Sequence, residues 1–455
     1  MDITVFGHAS LMVETGGETI LVDPVLRTTP LGSGAFGHSP ARTLHLERMP
    51  RPTLLAITHA HVDHLDPESL ALVARETQVV APDDPQTLGE LSRLGFGRVA
   101  ALGVWESFSA DCARIAATPT DSGVDEVGFL FEGPGARFWH MSDAEAVPEV
   151  GARIASEFGP CDVVAAKYQP TTRLMAGYFR GLGAAFEKQE VIDWLEAACA
   201  TRPRLVFPYA SGLGFFGRHA WLNRYVFPYR AEEIAELLVE RLKPHGTARA
   251  LLPGDVITVT ADGPVVREQS SPFVEHAPGG PECDWEPVDE GRLPGVASAE
   301  ERRELEERLE ALLFGPWARW LAAHMRPPGA AASLIEFGVV WQLVVHAGDG
   351  ERLEYGVDFT TRPLELVQGR LPRANFTVHV SGASLLEVLR GTAGSELLYA
   401  CGGSLMYERI LSVRDGRFWA PPYDGMALYK RLPDPLTYYL RWHAPAEGTI
   451  RRGSM

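Results

Sequence analysis

The run Thr53-Leu54-Leu55-Ala56-Ile57-Thr58 passes without a break into His59-Ala60-His61-Val62-Asp63-His64, and no other stretch constrains the chain as much. A continuous apolar run of this length fits a strand buried on both faces. After it, Pro67 at a favoured first-turn position, Glu68 behind it, and Leu70, Leu72 and Val73 at helical spacing predict a helix over 66–75. A buried strand therefore delivers three histidines and an aspartate to its C-terminal end. In an extended segment His59 and His61 point to the same side, so both imidazoles can reach one metal ion. Asp63 and His64, at the turn into the helix, can reach a neighbouring position. A lone histidine here would read as a cap of a polar loop, whereas four ligand-type side chains within six residues read as a metal site. Imidazole and carboxylate suit Zn, Fe or Mn, and ligand type alone does not choose among them.

With 455 residues the chain has room for two or three folded units. Its 45% hydrophobic and 22% charged residues are a globular balance. Against 59 acidic residues stand 42 basic ones, a net charge of −17 spread along the chain. A nucleic-acid partner is disfavoured, since a phosphate backbone attracts basic patches, but a local basic pocket for one small anion is not. No apolar run approaches the ~20 residues of a membrane span, and MDITVFGHAS lacks the regions of a signal peptide, so cytoplasmic residence with no membrane partner is expected. Cys112, Cys161, Cys199, Cys283 and Cys401 are scattered with no C-x-x-C pair, against a disulfide scaffold, a zinc ribbon or an all-cysteine iron–sulfur site.

Turn signals divide the first 266 residues into an alternating β and α order. ITVFG, SLMVET and ETILVDP read as strands, with a Gly16-Gly17 turn between the last two, and 25–50 as a long irregular loop. Strands are expected at QVVAP, RVAALG, 112–118, 126–132, 136–141, DVVAAKY and RLVFPYA, and helices over 84–94, 147–157, 185–200 and 230–242. Residues 267–297, rich in Pro and acid, have a linker composition. Beyond it, 298–455 reads as a smaller α+β unit. It opens with a long helix interrupted near Gly315 and Pro316, followed by a hairpin of SLIEFGVVWQLVVHA with RLEYGVDFT.

The H-x-H-x-D-H loop resembles the hallmark of the metallo-β-lactamase superfamily, over about residues 1–265. FGHASLMVETGGETILVDP is similar to the opening hairpin of its branch containing ascorbate-phosphate lactonases and N-acyl-phosphatidylethanolamine phospholipase D, with Asp23 at its end. ITHAHVDHLDPESLALVA, GVWESF, RFWHMSDAE and RLVFPYASGLGFFGRH further resemble the lactamase-like part of the CMP-N-acetylneuraminate hydroxylases. The paired Cys and His ligands of their Rieske domain are not in this sequence, so that chemistry would need electrons supplied in trans.

The resemblance implies an α/β fold, a four-layer αβ/βα sandwich with its metal site at one edge of two sheets. It implies His59, His61, Asp63 and His64 as ligands, Asp143 of HMSDAE as the bridging aspartate, and His219 of FFGRHAW as the late histidine, with Asp63 and His219 in the catalytic machinery. Where the family places a histidine after a TP-type strand end, TPTDSGVD offers Asp121, Ser122 and Asp125; Asp121 is taken as the ligand. His140 is an alternative ligand or a packed strand residue, and His8 a packed or supporting one. Lys167, Tyr168, Arg173 and Tyr209 are candidates for holding a substrate carboxylate or phosphate. The second unit carries no ligand cluster, resembles sterol-carrier domains appended to some lactamase-fold sulfatases, and reads as a lid or a homodimer contact.

The expectation is thus an enzyme with one or two Zn or Fe ions. It would hydrolyse an ester, lactone, thioester or phosphoester of a small anionic metabolite through activated water. An iron oxygenase with an electron-transfer partner, and a degenerate metal-binding scaffold, stay open as alternatives.

Overall fold

The computed structural model describes residues 1–28, 31, 36–121, 125–169, 188–215, 229–278, 293–326, 331–399, 401–420 and 434–443. Two compact units form, one of Met1–Trp285 with Val413–Trp419, the other of Glu286–Ser412 with Ala420–Met455.

Period-two alternation builds the first sheet. In strands Asp2–Gly7, Ser10–Thr15 and Glu18–Val22, the side chains of Val5, Leu11, Val13, Ile20 and Val22 fill one face and Phe6, Met12 and Leu21 the other, all buried. Gly16 and Gly17, at φ 60° and 89°, make the tight turn whose handedness matches the strand twist. The full order is Gly263–Arg267, Val256–Thr260, Asp2–Gly7, Ser10–Thr15, Glu18–Val22, Leu54–Ala56, Gln78–Pro82, Val99–Leu102. The last four strands are parallel, so Asp23 and the residues after Ala56 leave from one edge.

A seven-stranded sheet faces it: Thr247–Ala248, Leu205–Tyr209, Val163–Lys167, Ala136–His140, Gly128–Gly133, Ala113–Thr118, Ser107–Ala110. The stacked rings of Phe131, Phe138 and Phe207, with centroids 5.7 and 6.4 Å apart, join the inner residues of the first sheet in one core. Each such ring contributes about 1.5–3 kcal/mol by leaving water. Leu55, Ile57, Leu65, Leu70, Val79 and Leu91 form a second core on the outer face of the first sheet, under the helix Pro85–Arg93. Helices Lys188–Ala200 and Ala231–Leu242 pack on strands of the second sheet. The layers run helix, sheet, sheet, helix, and the parallel strands of the second sheet end at His140, Lys167 and Tyr209.

Three expectations change. The helix expected over 66–75 is a single turn, Pro67–Leu70: Leu72 is 62% exposed and offers no apolar stripe to extend it, and the Arg75 guanidinium takes the Leu70 carbonyl. Within the irregular loop, Phe36–His38 and Arg42–Leu44 pair with Leu213–Phe215 and Val274–His276, so part of 267–297 is a strand of the first unit. Ser333–Glu336, expected in a strand, lies in the helix Ala332–Glu336.

The second unit has a five-stranded sheet in the order Leu366–Gln368, Glu351–Asp358, Val340–Gly348, Phe376–Ser381, Ser404–Glu408, with helix Gly382–Arg390 following the fourth. Its long helix Ala299–Leu312 widens over Leu313–Trp317, where Pro316 removes a backbone donor, and resumes as Ala318–Ala323. Trp317 and Trp341, 5.5 Å apart, are core, as their indole N–H bonds to the Pro435 carbonyl and the Asp434 carboxylate confirm. Among the described residues no helix is long and apolar enough to cross a membrane.

Candidate metal centre

Strand Leu54–Ala56 pairs with parallel neighbours on both sides, so the chain can leave it only at the sheet edge. There the loop turns instead of running extended: the N–H groups of His64 and Leu65 both donate to the His61 carbonyl. Asp66 caps the next turn through the Ser69 N–H at 3.0 Å, and Arg27 lies 3.3 Å from its carboxylate. This turn converges the three rings. His59 and His61 meet edge to face at 4.4 Å, and His59 and His64 lie 4.1 Å apart.

Asp23, fully buried after the third strand, organises the loop. Its carboxylate accepts from the Thr58 N–H at 2.8 Å, the Thr58 hydroxyl at 2.6 Å, His64 Nδ1 at 2.9 Å and the Ser142 hydroxyl at 3.2 Å. Burial alone would raise its pKa, but the bond and charge of His64 and the Thr58 hydroxyl hold it below the ordinary carboxylate value. With Nδ1 donating to Asp23, His64 turns Nε2 inward. That atom is buried, has no hydrogen bond, and lies 3.4 Å from an Asp143 oxygen and 3.8 Å from an Asp63 oxygen.

Burial disfavours charge on His64, yet the Asp143 and Asp63 carboxylates outweigh it and raise its pKa well above the ordinary value. Both aspartates are shifted the other way, against the cost of their own burial, by His64 first of all. His59, by contrast, is pushed down to about 3 by burial and the nearby His64. Two groups of side chains could hold a metal ion: His59, His64 and Asp143, and His8, Asp63 and His64. In each, the donor atoms lie within 4.8 Å of one another.

Other candidates are placed differently. Asp121 is exposed, its N–H bonded to the Glu145 carbonyl, and it enters neither group. The acidic residue of this connection that turns inward is Glu126, 6% exposed, which the sequence reading does not single out. One of its oxygens accepts from the Thr120 hydroxyl, and the other lies 3.9 Å from His59 Nδ1. The available signal was position: Glu126 is the acid that abuts the apolar run VGFLF.

Lys167 places its ammonium on the Asp143 carbonyl, 3.7 Å from Glu145 and over the Trp194 ring, so it holds the Asp143 turn. Tyr209 donates its hydroxyl to the Ser10 carbonyl at 2.5 Å, and Tyr168 is buried. His140 is fully buried between the Phe138 and Tyr209 rings, outside both groups. Arg173 and His219 lie outside the described residues.

Residues 18–185 match the family model of the β-lactamase superfamily domain. A UPF0173 metal-dependent hydrolase of Exiguobacterium sp. is 29% identical over 156 residues, 31% of this chain and 63% of the relative. The 4-amino-L-phenylalanyl-(CmlP-peptidyl-carrier-protein) 3-hydroxylase of Streptomyces venezuelae is 29% identical over 244 residues, 46% of this chain and 43% of the relative. The chain thus spans less than two thirds of either relative's length. Among solved structures, CmlA, a diiron β-hydroxylase from Streptomyces venezuelae, is 23% identical, covering 59% of this chain and 54% of that one, with a TM-score of 0.41. The matched segment, 18–185, holds the histidine loop at the sheet edge within the helix–sheet–sheet–helix layering, and it is this part of the chain that is similar to a β-lactamase superfamily domain.

Proposed function

We propose that the first unit is a metal-dependent hydrolase acting on an ester, lactone, thioester or phosphoester. One observation carries this reading: the unbonded Nε2 of His64 faces two carboxylate oxygens in a buried place. Two carboxylates facing one imidazole nitrogen in a buried place call for a positive charge between them, a proton in the metal-free protein and a metal ion that can displace it, and the donor set of imidazoles and carboxylates suits Zn or Fe. His59, His61, Asp63, His64 and Asp143 would hold one or two ions, with Glu126 taking the part expected of Asp121. A bound ion would supply water with a pKa lowered to about 7 and polarise the scissile oxygen.

The chain's own residues do the rest. Asp23 fixes the tautomer of His64, and Lys167 fixes the Asp143 turn. Asp63, 21% exposed at its side chain, would orient that water and take up its proton. Since Lys167 and Tyr209 are engaged within the fold, a preference for anionic substrates rests on residues such as Arg173.

The experiment is metal analysis of the purified protein, followed by a panel of aryl esters, thioesters, lactones and phosphodiesters, with and without chelator and with and without oxygen. Hydrolysis that survives anaerobiosis and stops with chelator supports the reading. A second reading, an iron oxygenase with electrons supplied in trans, is favoured by the inward carboxylate of Glu126, which adds to the oxygen donors near the histidines. Turnover that requires iron, oxygen and reductant together would select it.

A further inference from the structure

At the tip of the first hairpin, His8 has its position fixed from several sides. Its backbone is in the left-handed region, φ 50°, which a non-glycine residue keeps only where its surroundings hold it. The Ala210 N–H donates to its carbonyl at 3.3 Å, and the Gly212 N–H donates to its ring Nδ1 at 3.3 Å. At position 212 only glycine allows this approach: a Cβ there would lie 2.6 Å from the His8 nitrogen and 2.8 Å from its Cα. Across the ring, Nε2 lies 3.1 Å from Asp63 Oδ2, and the ring meets His64 edge-on at 5.1 Å.

A backbone N–H can only donate, so Nδ1 presents its lone pair and the proton of the neutral ring sits on Nε2. We propose that His8 is a positioning residue of the metal site: set in one tautomer by the Gly212 N–H, it donates Nε2–H to Asp63 Oδ2 and aims that carboxylate at the ion. This rests on the metal-centre reading above. Although His8 belongs to a group that could hold a metal, ligation through Nε2 would put the proton on Nδ1, donor against donor with the Gly212 N–H.

The test uses full-length protein and its His8→Ala, His8→Gln and Gly212→Ala variants. Each is titrated with Zn(II) against a chromophoric chelator and with Co(II) followed by visible absorption, and circular dichroism checks folding. His8→Ala is expected to weaken binding of the ion nearest Asp63 by about 10–100-fold and to change the Co(II) spectrum. His8→Gln, which again offers an N–H to Asp63, recovers most of the affinity. Gly212→Ala reproduces the defect with the imidazole still present. Equal losses in His8→Ala and His8→Gln would make His8 a ligand and overturn the proposal, as would wild-type affinity in His8→Ala. A wild-type protein that binds neither ion overturns the metal-centre reading itself, before any variant is compared.

Discussion

His64 and His61 come from one loop, three residues apart, yet sit in opposite surroundings. His64 is fully buried, its Nδ1 tied to Asp23, which is itself held by Thr58 and Ser142. His61 is exposed, and among the described residues its ring meets only His59, with nitrogens 2.7 Å apart. One side of the site is thus oriented before any ion arrives, while the other must be gathered by the ion. Preorganised donors pay less ordering entropy on binding, so the Asp63–His64–Asp143 side should fill first and release last.

Removing the organiser should have the largest effect. Asp23→Ala removes the shared acceptor of the Thr58 N–H, the Thr58 hydroxyl and His64 Nδ1, a broken buried charged network that costs about 3–5 kcal/mol. Urea unfolding followed by tryptophan fluorescence should show that loss together with loss of bound metal. A variant as stable as wild type would mean the two sides are held alike after all.

Next in size is the contrast between the histidines. His64→Ala should lower metal affinity by at least about 100-fold, since changes outside the ligand set already reach that range. His61→Ala should leave one ion bound near wild-type strength. Equilibrium dialysis with metal analysis reads both, and equal losses would erase the proposed asymmetry.

How much of this was legible in the chain follows from how local each cause is. The hairpins could be read because Leu11, Met12 and Val13 alternate between two cores, and the loop because a buried run ends in His59. The single-turn helix could not, since Leu72 fits a helical stripe on paper and only the fold exposes it. Glu126 was hidden among Asp121 and Asp125, which differ from it only in facing solvent. The contacts of His8 and Lys167 depend on Gly212 and Asp143, far along the chain, and no local pattern announces them.

The raised pKa of His64 gives the comparison a pH signature. In metal-free protein a histidine so shifted adds stability that is full below its unfolded value of about 6.5 and is lost as pH rises toward the folded one, at about 1.4 kcal/mol per pH unit. The lowered Asp63 and Asp143 work at the other end, contributing above about 3.9 and failing as pH falls through their folded values. A metal ion needs His64 deprotonated at Nε2, so its binding strengthens over the range in which the metal-free site weakens. The gap in unfolding midpoint between metal-loaded and chelated protein should therefore widen from pH 6 to pH 8. A gap that stays flat would mean that His64 gives up no proton to the ion.

Ser142→Ala should be the mildest change, and it asks whether the anchor is graded or all-or-none. The Ser142 hydroxyl lies 3.2 Å from Asp23 and 3.1 Å from the Thr58 hydroxyl, a supplement to donors that already satisfy the carboxylate. Its loss leaves the Thr58 N–H, the Thr58 hydroxyl and His64 Nδ1 in place, so about 1 kcal/mol of stability should go while metal affinity stays within a fewfold of wild type. The backbone at 142, with φ 53°, is strained for alanine and serine alike, so the comparison isolates the hydroxyl. If this variant instead loses metal as fully as Asp23→Ala, the four bonds act as one cooperative unit, and the rigidity of the His64 side belongs to the network and not to Asp23 alone.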